Sequence, residues 1–236
     1  MKLVISYLYR NELNLYGDTG NVEILIYRAK QRGIGTEVIY EITPETNLVF
    51  MGGGSDSGQK EMYKDLLNSK AIVLKKYIEE GGAALFICGS YQLMGHYYKS
   101  ADGSMLDGLG IFDMYTEHFG YAKKRCVGNI VCSLKSDFGK LGTLVGFENH
   151  GGRTYLQGDS RPLAEVITGF GNNGEDNTEG LIYKNSIGSY LHGPILSKNP
   201  YLADHLIAKA LKVNILKPLD DSLILACHIA LVKKFK

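Results

Sequence analysis

The sequence predicts an α/β fold: an open, mostly parallel sheet flanked by helices, with antiparallel strands in the C-terminal half. Strand-like and helix-like segments alternate up to about residue 95, which is typical of a parallel sheet with helical connections. From about residue 105, strand-like segments dominate and turn residues join several of them, which favours antiparallel additions. No linker, repeat or low-complexity segment interrupts the 236 residues, so we expect one domain over residues 1–236.

The elements of the first half are assigned from apolar spacing and from boundary residues. β-branched and aromatic residues mark the strands, whereas apolar residues at helical spacing, closed by glycine, mark the helices. The predicted strands are residues 2–9, 36–40, 48–51 and 83–87. The predicted helices are one that starts with N-cap chemistry at Asp18-Thr19-Gly20 and ends at Gly33, one over residues 60–80 with a break near Asn68, and a helical turn over 89–94.

The second half reads mainly as strands until two closing helices. The predicted strands are residues 129–134, 143–148, 163–168, 181–184 and 187–191, and the predicted helices are 200–212 and 219–233. The apolar segment 223–232 has two interpretations, a last helix packed in the core or part of an interface with a partner. It is too short to cross a bilayer.

Composition excludes several classes of protein. Hydrophobic residues make up 44% and charged residues 22%, unlike a disordered chain. With 26 Lys and Arg against 25 Asp and Glu, the net charge of +1 disfavours a nucleic-acid binder. The four cysteines form no CxxC pair and no zinc-like cluster, so we expect no metal site. Free thiols and a first segment unlike a secretory signal favour the cytoplasm.

Cys88 stands where a buried apolar strand runs into a glycine and a helical turn. A nucleophile on such a strand-to-helix turn is exposed at the sheet's C-terminal edge, and Gly89 leaves room for a strained backbone. The positive end of the helix favours a thiolate, and the following amide can donate to an oxyanion. The alternative is that Cys88 is a buried small hydrophobe at a strand end.

A glycine-rich segment, residues 52–59 (GGGSDSGQ), follows another short apolar strand. Loops after parallel strands form the ligand crevice, and a glycine loop can direct amides at an anion. Gly53 and Gly58 have the spacing of a phosphate loop, but Lys-Ser/Thr does not follow them, which disfavours nucleotide binding. A plain turn is the remaining alternative.

His192 follows an alternating strand and precedes Gly-Pro. A histidine fixed there could act as the base that deprotonates a cysteine. It is one of six histidines, and a single histidine is more often a surface or core residue than a catalytic one.

Together, GGGSDSGQ, FICGSYQLMG, GFENHGGRT and SYLHGPILSKNP resemble the class I, triad-type glutamine amidotransferases of the CobB/CobQ-like branch. The resemblance runs over nearly the whole chain and implies a class I glutamine amidotransferase-like sheet. It implies that Cys88 attacks the side-chain amide of glutamine to form a γ-glutamyl thioester. His192 would be base and then acid, and the amides of Gly53 or Gly54 and of Gly89 would form the oxyanion hole.

The same resemblance implies a substrate site. Arg125 would hold the α-carboxylate of glutamine, since its planar fork can bind a carboxylate with two hydrogen bonds. Its alternative is one more exposed cation in a basic run. Gln92 and the segment 147–152 would line or support the pocket, and no metal is implied.

One position departs from the family pattern. Pro194 stands two residues after His192, where these enzymes usually have a glutamate, and proline cannot orient an imidazole. We therefore expect another carboxylate to do so, from a partner protein or from a nearby acid such as Glu148.

The resemblance also implies a partner. Ammonia from glutamine needs an activated acceptor, and this sequence contains no credible ATP site. The branch implies a heterodimer with a Mur-ligase-like, ATP-dependent subunit that carries ATP and Mg²⁺. That subunit would amidate D-glutamate of the lipid II stem peptide to D-isoglutamine at the inner face of the membrane. The alternatives are another acceptor, such as a cobyric-acid-type corrin, a cysteine hydrolase of the same superfamily, or a scaffold without activity.

Overall fold

The computed structural model describes residues 1–134 and 142–236, and within them the chain forms three sheets and seven α-helices. The strands are β1 (Lys2–Tyr7), β2 (Gly35–Ile39), β3 (Leu48–Met51), β4 (Ala83–Ile87), β5 (Tyr97–Lys99), β6 (Met105–Asp107), β7 (Met114–His118), β8 (Cys126–Leu134), β9 (Thr143–His150), β10 (Gly152–Leu156), β11 (Ala164–Thr168), β12 (Thr178–Glu179), β13 (Leu181–Tyr183) and β14 (Ser186–Ser189). The helices are α1 (Thr19–Lys30), α2 (Asp56–Asp65), α3 (Ala71–Glu79), α4 (Gly89–Leu93), α5 (Ile195–Lys198), α6 (Pro200–Ala210) and α7 (Ser222–Phe235).

The central sheet has six strands in the order β13-β14-β4-β3-β1-β2. Every neighbouring pair is parallel except β13 and β14. β3 and β4 are buried along their whole length, as expected for strands covered on both faces. The predicted α/β fold with a mostly parallel sheet is therefore confirmed.

Parallel pairing brings three loops together at one edge of this sheet. Met51 pairs with Phe86 at the end of β3 and β4, and Ile87 pairs with Ser189 at the end of β4 and β14. The glycine loop and Cys88 directly follow β3 and β4, and His192 is the third residue after the end of β14. Because the strands are adjacent, residues far apart in sequence meet here.

Two four-stranded sheets, β10-β7-β5-β6 and β12-β11-β8-β9, form the antiparallel part of the fold. All their pairings are antiparallel except β5 with β7. The sequence did not predict the three strands between residues 97 and 118. These strands have only three to five residues and mix polar with apolar side chains, so their periodicity is weak.

The helix predicted over residues 60–80 is divided. A π-helical turn at Leu66–Lys70 separates α2 from α3, at the place where a break was predicted. In α7, His228 is the only fully buried residue and Leu223 is 76% exposed, so the core-packed interpretation of 223–232 is wrong for most of that helix. Within the described ranges, no helix is long and apolar enough to cross a membrane.

Candidate active site

Cys88 occupies a strained turn between β4 and α4. Its backbone angles are φ +51° and ψ −105°, a conformation that side-chain-bearing residues rarely adopt. The amide of Cys88 donates to the carbonyl oxygen of Ser189, and the hydroxyl of Ser90 donates to the carbonyl oxygen of Met51. Hydrogen bonds to both neighbouring strands thus hold the turn, as expected for a nucleophile elbow.

Gly89 is required for this turn to approach the glycine loop. A Cβ atom at position 89 would lie 2.4 Å from Nε2 of Gln59 and 3.1 Å from the amide nitrogen of Gly54. Any side chain there would force the two loops apart.

His192 is completely buried beyond the end of β14. Its backbone exchanges two hydrogen bonds with Phe147 of β9, which fixes the position of the residue. Its Nδ1 lies 3.1 Å from Oδ1 of Asp18, a carboxylate that is also completely buried. The imidazole therefore has an orienting acid within the chain.

Asp18 was predicted only as an N-cap, and that role is wrong. Its side chain makes no capping hydrogen bond; instead, Oδ1 of Asn14 accepts the amide hydrogen of Thr19. The second oxygen of Asp18 accepts a hydrogen bond of 2.7 Å from the amide of Gly53. The only sequence signal for this contact with His192 is an aspartate after the first strand, and the same signal fits a helix N-cap equally well.

Three side chains meet around the α-carbon of Gly53. A Cβ atom there would lie 2.7 Å from Cε1 of His192, 3.1 Å from Oδ2 of Asp18 and 3.2 Å from Cβ of Cys88. Only a glycine leaves room for the three groups to approach one another in this way. This proximity is what a cysteine–histidine–aspartate triad requires.

The electrostatics of this cluster favour a protonated His192. Burial is the largest influence and lowers its pKa, but Asp18 and Cys88 act together against burial and raise the pKa to about 10. By contrast, burial raises the pKa of the Cys126 thiol to about 12, so that cysteine stays protonated at neutral pH. The geometry therefore suits an imidazolium between a carboxylate and the Cys88 sulfur.

The oxyanion-hole prediction needs one correction. The amide of Gly53 is committed to Asp18, so it cannot also donate to an oxyanion. The amide nitrogen of Gly54 lies beside Gly89, whose own amide is in the first turn of α4 and has no acceptor within that helix. The amides of Gly54 and Gly89 are the pair that fits an oxyanion.

A cavity of about 390 Å³ opens at Cys88 and brings the predicted substrate residues to the same place. Arg125 and Gln92 both line it. The guanidinium of Arg125 donates from Nε and Nη2 to Oδ1 of Asn149, at 3.1 and 3.0 Å. Oε1 of Gln92 accepts from Nε2 of Gln59. From the segment 147–152, four residues line the cavity: Asn149, His150, Gly151 and Gly152.

Some buried polar atoms at or beside this cavity make no hydrogen bond among the described residues. They are Oε1 of Gln59, in the cavity lining, and Nε2 of His192, next to Cys88; Nε2 of His150 makes none either, although it lies 3.8 Å from Oε2 of Glu148. Buried polar groups in folded proteins are nearly always paired, so a cluster of exceptions marks a place where a polar ligand can bind. Gln59 was not predicted as a site residue, although it ends the glycine-rich motif.

Pro194 and Glu148 do not orient His192. A Cβ atom at Gly20 in α1 would lie 2.3 Å from Cγ of Pro194, so the proline packs against the helix that follows Asp18. The carboxylate of Glu148 accepts hydrogen bonds from the amides of Phe170 and Gly171 instead. The prediction for Glu148 is therefore wrong, and the acid comes from the N-terminal end of α1.

Comparisons with known proteins identify the family of the chain. A family model described as the CobB/CobQ-like glutamine amidotransferase domain matches residues 4–200. The chain is 46% identical, over 89% of its length and 84% of that protein, to "Lipid II isoglutaminyl synthase (glutamine-hydrolyzing) subunit GatD" of Staphylococcus aureus. It is 42% identical to the protein of the same name from Streptococcus pneumoniae, over 89% of this chain and 81% of that one.

A solved structure of a glutamine amidotransferase has a similar fold. It matches with a TM-score of 0.61 over 87% of this chain and 98% of that one, and at 15% identity this likeness concerns the fold alone. The sequence match over most of the chain, together with the arrangement of Cys88 and His192 at the sheet edge, leads to one conclusion: the chain belongs to the CobB/CobQ-like glutamine amidotransferase family.

Proposed function

We propose that this chain is the glutaminase subunit of a lipid II isoglutaminyl synthase. It hydrolyses L-glutamine to glutamate and ammonia and supplies the ammonia to an ATP-dependent partner. The observation that carries the proposal is the buried contact of His192 with Asp18, next to Cys88, which lines one cavity together with Arg125.

Hydrolysis follows in two steps from this arrangement. Cys88 gives its thiol proton to His192, and its sulfur attacks the carboxamide carbon. The oxygen of the tetrahedral intermediate accepts hydrogen bonds from the amides of Gly54 and Gly89. The imidazolium of His192 gives its Nε2 proton to the departing nitrogen, so that ammonia leaves and a γ-glutamyl thioester remains. Water, deprotonated by the neutral imidazole, then attacks the thioester and releases glutamate and the Cys88 thiol.

Substrate binding uses the groups that line the cavity. Arg125 pairs with the α-carboxylate of glutamine, because a guanidinium binds a carboxylate in a strong, charge-assisted geometry. The unpaired Oε1 of Gln59 accepts an N–H group of the substrate, and Gln92 holds Gln59 in place.

The two GatD relatives are named as subunits of a lipid II isoglutaminyl synthase, and the proposed acceptor is taken from that name. We propose that ammonia passes to a Mur-ligase-like subunit of the MurT type, which binds ATP and Mg²⁺ and forms a heterodimer with this chain. That subunit activates the α-carboxylate of D-glutamate in lipid II, and the product is D-isoglutamine in peptidoglycan.

The test is ammonia and glutamate release from L-glutamine by the purified chain, with and without the ligase subunit. Cys88→Ser removes the nucleophile, and Cys227→Ser, at an exposed cysteine, is the matched control. We expect release that depends on Cys88 and not on Cys227, and transfer to lipid II only when the ligase subunit and ATP are present.

Other outcomes point to the alternatives. Release that occurs without amidation of lipid II, but with amidation of a corrin acceptor by its ligase, would favour the cobyric-acid-type function. Cys88-dependent cleavage of other amides without glutamine hydrolysis would favour a general cysteine hydrolase. A chain that binds the ligase subunit without any hydrolysis would be a scaffold.

A further inference from the structure

Tyr16 has a backbone conformation that needs an explanation. Its angles are φ +55° and ψ +24°, in the left-handed region that bulky side chains avoid. Such a conformation persists only where the surroundings enforce it, and it is often found at functional sites. Tyr16 lies two residues before Asp18, in a 3₁₀ turn over Leu15–Gly17.

The aromatic ring of Tyr16 covers the imidazole of His192. The two ring centroids are 4.9 Å apart with an interplanar angle of 63°, and the ring also contacts Phe147. His192 is completely buried, whereas Tyr16 is 47% exposed and lines the cavity that contains Cys88. The tyrosine ring therefore lies between the catalytic histidine and solvent.

The hydroxyl of Tyr16 leads to the proposed carboxylate site. It accepts a hydrogen bond of 2.6 Å from Nδ2 of Asn149, and Oδ1 of the same asparagine accepts from Arg125. The amide of Leu15 also donates to the carbonyl oxygen of Gly53, which ties the tyrosine segment to the glycine loop. A continuous set of contacts thus runs from Arg125 through Asn149 and Tyr16 to His192.

We propose that Tyr16 is a positioning residue that covers His192 and links the geometry of the imidazole to occupation of the Arg125 site. This inference rests on the proposed function, because it needs Arg125 to bind the α-carboxylate of glutamine. A carboxylate on Arg125 fixes the guanidinium and, through Asn149, the phenol. The ring then holds the imidazole against Asp18 and excludes water while ammonia departs.

Two substitutions separate the hydroxyl from the ring. Tyr16→Phe keeps the ring and removes the acceptor for Asn149, so KM for glutamine should rise about three- to tenfold with kcat within about twofold. Tyr16→Leu removes the ring as well, so kcat should fall about tenfold or more. Tyr9→Phe is the matched control: Tyr9 also has a left-handed backbone, but its hydroxyl contacts Asp65 away from this cavity.

A double-mutant cycle tests whether the contact between Tyr16 and Asn149 links the Arg125 site to His192. Since the phenol acts through Asn149, Tyr16→Phe should have no further effect on KM in an Asn149→Ala background. The same comparison, made by calorimetry of L-glutamine binding to the Cys88→Ser chain, gives the effect on affinity without turnover.

The Tyr16→Gly variant distinguishes an effect on folding from an effect on the position of His192. Glycine adopts the left-handed backbone without strain, which offsets part of the packing lost with the ring, so this variant should still unfold cooperatively in denaturant and yet lose activity. The inference is overturned if the wild-type chain hydrolyses glutamine and the Phe and Leu variants match its kcat and KM within about twofold. It is also overturned if the two substitutions in the cycle are additive. A wild-type chain that neither hydrolyses nor binds glutamine would instead refute the proposed function, and this inference with it.

Discussion

Replacing Asp18 by asparagine removes one charge from the centre of the site and little else. Asparagine has nearly the same size, and its carbonyl oxygen can still accept the amide hydrogen of Gly53. Oδ1 of Asp18 lies 3.1 Å from Nδ1 of His192, and both side chains are completely buried, so solvent does not screen the interaction.

The magnitude follows from the pKa of His192. Burial alone lowers this pKa, yet it is raised from 6.5 to about 10, with Asp18 and Cys88 as the groups that raise it. The net rise corresponds to about 5 kcal/mol in favour of the imidazolium, at about 1.4 kcal/mol for each pKa unit. Without the carboxylate, the imidazolium loses a large part of this stabilisation, and the imidazole is no longer held in the tautomer with Nε2 facing the substrate.

We expect Asp18→Asn to lower kcat/KM for glutamine hydrolysis by about a hundredfold to ten-thousandfold, the range found when the acid of a hydrolase triad is replaced. The activity of the variant should also be lost at a lower alkaline pH, because Asp18 keeps the imidazolium protonated towards pH 10 in the wild-type chain.

The assay is ammonia release as a function of pH, with Asp159→Asn, an exposed aspartate, as the control. A variant within about threefold of the wild-type kcat/KM, with the same alkaline limb, would refute an orienting role for Asp18. Activity restored to Asp18→Asn by the ligase subunit would mean that the partner supplies the orienting acid.

Three further predictions follow from the same geometry. Gly53→Ala should lower kcat by about a hundredfold or more, because the added Cβ would lie 2.7 Å from Cε1 of His192. A Gly53→Ala chain with the kcat of the wild-type chain would contradict this packing. Arg125→Ala should raise KM for glutamine about ten- to hundredfold with kcat nearly unchanged, because a charge-assisted hydrogen bond to the substrate is lost. Lys124→Ala, the control, should leave KM unchanged. Equal KM values for the two variants would exclude Arg125 as the carboxylate site. Burial raises the pKa of Glu179 from 4.5 to about 8. Between these two pH values the folded chain keeps a proton on this carboxyl group that the unfolded chain has released. The free energy of unfolding should therefore fall by about 4–5 kcal/mol as pH rises from 4.5 to about 8. Denaturant unfolding of Glu179→Gln between pH 5 and 8 should lack this fall relative to the wild-type chain, and parallel curves for the two proteins would contradict the raised pKa.

Local sequence patterns were sufficient to predict which segments meet at the edge of the central sheet. The buried strand before Cys88, the glycine loop after Met51 and the strand before His192 each have a short and clear sequence signal. Parallel pairing of adjacent strands then places their ends together, so the meeting of these segments could be predicted without coordinates. The position of Arg125 in the same cavity was expected only from the resemblance to the family.

The orienting acid could not be predicted in this way. Asp18 stands at the start of a helix, where aspartate is common as a cap, and 174 residues separate it from His192. The packing of α1 against the segment after His192, including Pro194 against Gly20, and the hydrogen bond from the amide of Gly53 place the carboxylate beside His192. The sequence also could not decide between the amides of Gly53 and Gly54, because that depends on where Asp18 points.

The most direct measurement of the central claim is the capture of the covalent intermediate. The purified chain would be mixed with L-glutamine labelled in its carbon chain, quenched with acid within one turnover, digested and analysed by mass spectrometry. The account predicts a γ-glutamyl group on the peptide that contains Cys88, with less of it in Asp18→Asn and none in Cys88→Ser. Glutamine turnover without an adduct on Cys88, or an adduct on the peptide of Cys126 or Cys132, would contradict it.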